Sequence, residues 1–184
     1  MPRIQYISDD TGSFQEVHGS DARFNVSSRS NSRSFYVSRD DGQAYVLHIK
    51  DADAADGDLI AYLRNDSKTK RLYIQDIHIS SPVACKFIAS FGDAVAATGT
   101  SVTPVNLNKS SSNDADVTAF GNAAVGGVGA STDFASLRIG ASGTGELEFK
   151  QGLILGQNDN IVIESDFITN SPDLIEIDIY FFIE

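Results

Sequence analysis

The chain closes on a run from residue 174 to residue 184 in which Ile175, Ile177, Ile179, Phe181 and Ile183 recur at every second position. That is the period of a strand with one buried face, whereas helical spacing would scatter these side chains around an axis. Glu176, Asp178 and Tyr180 fill the interleaved positions, and β-branched and aromatic residues suit a pleated surface. Such a strand needs sheet neighbours on each side. It is expected to be central and to be added last to a sandwich.

Upstream, the same two-residue period returns in short pieces separated by turn residues. Residues 35–37 and 43–50 read as strands around the Asp40, Asp41, Gly42 turn, and residues 58–64 and 71–79 as a second pair around Asn65, Asp66, Ser67 and Lys68. Pro82 interrupts, residues 84–91 resume, and Gly92 closes that run. Segments 102–107, 116–123, 134–139, 145–149, 153–155 and 161–164 follow, with a glycine-rich passage at 121–129. No segment carries an amphipathic helical stripe and no repeat has a fixed period, so the expectation is an all-β sandwich or barrel of about ten short strands. One domain is expected at 184 residues. No apolar run approaches the roughly 20 residues of a membrane span, and no secretory leader is expected at Met1. The expectation is a soluble protein with no membrane partner.

Residues 1–34 differ. Serine, asparagine and arginine cluster there without a sustained period, as in Ser27, Ser28, Arg29, Ser30, Asn31, Ser32 and Arg33. Such a segment cannot by itself bury enough surface to offset its ordering entropy. Residues 1–40 are therefore expected to be an extended arm and residues 41–184 the sandwich domain. The net charge of −11 falls entirely outside the arm, whose five arginines balance five acids. An acidic body disfavours nucleic acid, while the arginine-bearing arm can contact what the body avoids. Arg23, Arg29, Arg33 and Arg39 are its expected polar anchors, because a guanidinium engages carboxylates bidentately and stays charged when partly desolvated. Phe24, Phe35 and Tyr36 are the expected apolar anchors. Tyr180 and Phe182 lie on the strand face shared with Glu176 and Asp178, and are expected to meet neighbouring chains.

The chemistry-bearing residues form no recognised catalytic set. Asp51, Asp53, Asp56 and Asp58 could supply oxygen ligands to calcium, but their spacing is not that of an EF-hand, and a solvated acidic hairpin loop is the better reading. His18, His48 and His78 occur in no paired metal-binding motif. Glu146, Glu148, Glu164, Glu176 and Asp178 could neighbour one another across strands, as glycosidase carboxylates do, though alternation with apolar residues is what one wet sheet face produces. No serine elbow or phosphate loop is present. The single cysteine, Cys85, sits in an apolar run and reads as a buried small hydrophobe. No enzyme, cofactor or metal is expected.

Thr103, Pro104, Val105, Asn106, Leu107 and Asn108, continuing through Lys109 to Asn113, resemble the stretch that precedes an inner strand in single jelly-roll virion proteins of tailed phages. The closing passage is similar too: Gly152, Leu153, Ile154 and Leu155, then residues 158–163, then the alternating run to Glu184. The resemblance covers roughly residues 43–184. One departure is Gln157, Asn158, Asp159 and Asn160, where those proteins more often carry a proline-glycine turn. What the resemblance implies is a tumour-necrosis-factor-like single jelly-roll β-sandwich with an extended N-terminal arm, forming a homotrimer. It further implies a capsid decoration or cement protein on the outer surface of a phage virion, with the major capsid protein as partner. The alternative it leaves open is a receptor- or carbohydrate-binding fibre head that grips its ligand with loops such as residues 108–114. Against that alternative, the chain has no tryptophan to stack on sugar rings.

Overall fold

Alternation of apolar and polar residues becomes two antiparallel sheets between residues 44 and 183. The computed structural model describes residues 5–7, 14–16, 37–52, 54–168 and 174–184. By contact, the chain divides into two units, Met1–Ser30 and Asn31–Glu184. In the first, β1 (Gln5–Ile7) and β2 (Phe14–Glu16) form an antiparallel pair. The second holds β3 (Ala44–Asp51), β4 (Leu59–Asn65), β5 (Leu72–Ser81), β6 (Cys85–Gly92), β7 (Thr98–Ser101), β8 (Val105–Asn106), β9 (Val117–Gly126), β10 (Ala130–Ile139), β11 (Gly143–Leu155), β12 (Asn160–Ile168) and β13 (Ile175–Ile183).

One sheet runs β11-β5-β13-β3-β8 and the other β10-β6-β12-β4-β9-β7. With β7, β8 and β9 set aside, the eight remaining strands have the jelly-roll order. Successive strands alternate between the sheets except for the step from β6 to β10, and β13 returns to lie between β3 and β5. The last strand is thus central, as its composition requires. Residues 93–129, inserted between β6 and β10, lay β9 and β7 beside β4 and β8 beside β3. The insertion extends both sheets on the same side and covers the ladder groups that β3 and β4 would otherwise expose.

Ile175, Ile177, Ile179 and Phe181 of β13 meet Leu63, Phe87, Ile161 and Ile163 from the opposite sheet in one core. Cys85 belongs to it, and burial pushes its thiol pKa up, which leaves it a packing residue and a poor nucleophile. Tyr45 stacks on Phe181 with ring centroids 5.5 Å apart. Among the described residues no helix is long and apolar enough to cross a membrane.

The hairpin turn expected at Asp40, Asp41 and Gly42 is corrected, as is the strand assignment of Val37. Val37–Asp41 form one π-helical turn, because Val37 is buried against Ala44 and Phe182 instead of continuing a ladder. Residues 35 and 36 lie outside the described set. The glycine-rich passage is largely strand, as β9 continues to Gly126; at Gly121 a Cβ would come within 2.6 Å of Ile49 Cγ2, so only glycine permits this approach. Segments 145–149 and 153–155 are one strand, β11, whose pairing jumps from Glu148 opposite Asp76 to Leu153 opposite Ile74. At the turn after β11, Asn158 takes the left-handed conformation (φ 65°) that a glycine would supply.

Candidate functional site

Two polar constructions stand out, one on a sheet face and one at a sheet edge. The first is the outer face of β11, β5, β13 and β3. Strand register aligns Glu146, His78, Asp178 and His48 in one row across all four strands. The next row holds Thr144, Ser80, Glu176 and Lys50, and on the other side lie Glu148, Asp76, Tyr180 and Val46. Neighbours within a row face each other at cross-strand distance. His48 Nδ1 lies 2.5 Å from Asp178 Oδ1, His78 Nε2 lies 3.3 Å from Glu146 Oε1, and Lys50 Nζ lies 3.0 Å from Glu176 Oε1. The Tyr180 ring leans on His78 at a centroid distance of 5.1 Å. An open depression of about 470 Å³ is lined by His78, Ser80, Thr144, Glu146, Glu176 and Asp178.

A β-bulge decides which residues reach this face. Ile74 and Ile77 are both buried although three residues apart, because the pairing with β13 skips Gln75. That extra residue resets the alternation, so that Asp76, His78 and Ser80 point outward together. Burial raises the Asp76 carboxyl pKa, and the nearby Glu146 and Glu148 charges raise it further. Lys50 has the opposite effect on Glu176, whose pKa is lowered by their hydrogen bond and opposite charges.

The second construction is a clasp where the chain enters the sandwich. Asn106 Nδ2 donates to Gly42 O and to Asn113 O, each at 2.8 Å, and Asn108 Nδ2 donates to Ser38 O at 3.0 Å. Asn113 Nδ2 donates to Asp41 O at 2.8 Å, and the Ser111 hydroxyl to Gly42 O at 3.2 Å. Four side chains of the 106–113 loop therefore bind the backbone of residues 38–42. Gly42, at φ 60°, is a glycine for two reasons: the left-handed backbone, and a Cβ that would come within 2.3 Å of Ser111 Oγ. The loop considered for carbohydrate binding turns these amides and this hydroxyl onto its own chain.

The arm anchors Arg23, Phe24, Arg29, Arg33, Phe35 and Tyr36 lie outside the described residues. Arg39 contributes backbone to the π-helical turn, and its side chain is outside the described set. Phe182 is 5% exposed and stacks on Tyr73 at 4.8 Å within its own chain, while Tyr180 is half-buried on the outer face. In the acidic loop, Asp51 is buried, the Asp58 carboxylate accepts from Ala55 N–H at 2.8 Å, and Asp53 lies outside the described residues. His48 and His78, dispersed in sequence, flank Asp178 on one face. The sequence reading did not single out Asp76, although two adjacent polar residues, Gln75 and Asp76, inside an alternating run are a visible sign of the bulge. Comparison with family models, with curated proteins and with solved structures finds no match to this chain.

Proposed function

We propose that this chain is a structural virion protein, a homotrimeric decoration or cement protein that binds the major capsid protein on the outer surface of a tailed-phage head. The observation that carries the reading is the clasp. A tether transmits load only if its root is fixed, and hydrogen bonds from Asn106, Asn108, Ser111 and Asn113 fix residues 38–42 to the edge of a rigid sandwich. The residues that do this belong to the stretch that resembles phage jelly-roll proteins, which supports the same reading. Its work is mechanical: burial of surface across capsomer boundaries, on the order of 1,600 Å² for a stable contact, opposes internal pressure without bond chemistry. Residues 1–40 are the attachment element, with Arg23, Arg29, Arg33 and Arg39 as polar anchors.

The test is rebinding to particles stripped of the protein. A chain lacking residues 1–34 should fold and associate like the full chain yet fail to coat the shells. Equal rebinding by the truncated chain would move the attachment surface onto the sandwich. A low-resolution map of the particle separates this role from that of a fibre head, since knobs over capsomers support decoration and density at the tail tip overturns it.

A further inference from the structure

We propose that Asp76, His78 and Glu146 form a binding site for a divalent first-row transition-metal ion, with zinc the best fit. Among the described residues this is the one group of three or more ligating side chains whose donor atoms converge, all lying within 4.8 Å of one another. Zinc bonds of about 2.0–2.2 Å in tetrahedral geometry place ligand atoms about 3.4 Å apart. His78 Nε2 and Glu146 Oε1 already stand 3.3 Å apart, so one edge of the polyhedron exists without rearrangement. Asp76 completes the set from the same strand as His78, turned outward by the bulge at Gln75. Tyr180 packs against the His78 ring and restricts its rotation, which reduces the ordering cost of ligation.

The donor set selects the class of ion. One imidazole nitrogen and two carboxylates suit zinc, nickel or copper, whereas calcium takes six to eight oxygens, which this shallow face does not gather. The electrostatics favour a cation: Glu148 stands beside the trio opposite Asp76, so that three carboxylates repel one another around one imidazole. A bound ion would relieve that repulsion. Three protein ligands on an open face leave the remaining position to water. The site lies outside the core, so the metal binds to a fold that forms without it. This inference is independent of the virion reading and is tested separately.

The experiment is calorimetric titration of the untagged full chain with zinc chloride, then with calcium chloride, near neutral pH. One zinc per chain should bind, with calcium at least tenfold weaker. His78→Ala and Asp76→Asn should each weaken zinc at least tenfold, whereas His48→Ala, on the same face but outside the trio, should bind like the parent. Melting curves of each variant report whether it folds, and Glu146→Gln provides a further ligand change on a different strand. Absence of zinc binding to the parent chain, unchanged affinity in a folded His78→Ala, or equal affinity for calcium would each overturn the site.

Discussion

Asn65 is fully buried, with its amide donating to Lys70 O and Leu155 O, both at 3.0 Å, and its oxygen accepting from Ser67 N–H at 3.0 Å. Truncation strands buried groups that water cannot reach, at about 1–3 kcal/mol for each unsatisfied group. Asn65→Ala should therefore lower unfolding free energy by about 2–3 kcal/mol in urea titration, and a loss below about 0.5 kcal/mol, the level of an ordinary surface substitution, would contradict the network. Glu164 presents the opposite case. Burial, then the charges of Asp166 and Asp133, raise its pKa in the folded chain. The folded state holds that proton more tightly than the unfolded one, so this contribution to stability is present below the ordinary glutamate pKa and is lost as pH rises through the raised value. Glu164→Gln should melt higher than the parent at neutral pH, and the difference should close below about pH 4. An equal gap at both pH values would show that the effect is not ionisation.

At the scale of elements, the clasp and the bulges do what regular strands cannot. The 106–113 loop pins residues 38–42 through three side-chain amides and a hydroxyl, which makes the entry to β3 depend on a segment some seventy residues away. Replacing Asn106 and Asn113 together by alanine should accelerate hydrogen exchange at Gln43 and Leu107, whose N–H groups donate to Val37 O and Ala44 O, by at least tenfold. The amides of β13 should keep their protection, because they lie between two paired strands. Loss of protection across β13 as well would mean that the clasp supports the whole sandwich.

For the whole molecule, the prediction is association. Phe182 is covered within its own chain, so contact between copies falls to Tyr180 and to surface that is still apolar, such as Val105 at 60% and Leu107 at 50% exposure on the β8 side of the sheet. Light scattering at micromolar concentration should return three times the 19.7 kDa chain mass. A strictly monomeric species would remove the homotrimer from the functional reading.

Alternation in residues 174–184, with turn residues between the other runs, was enough to determine an all-β sandwich with β13 at its centre, because a two-residue period with an apolar face has few other ways to be buried. Turn geometry was less legible: Gly42 and Asn158 do take left-handed backbone, but the hairpin expected around Gly42 gave way to a π-helical turn packed through Val37. The partners of each strand were not legible. Pairing in a jelly roll joins segments distant in the chain, as Asp178 joins His48 and His78, and no local period encodes which strand lies beside which. The candidate site stayed hidden for the same reason. Asp76 and His78 share a strand, but Glu146 comes from another, and only the register of β11 against β5, with a one-residue bulge resetting the alternation, brings the three donors within 4.8 Å of one another.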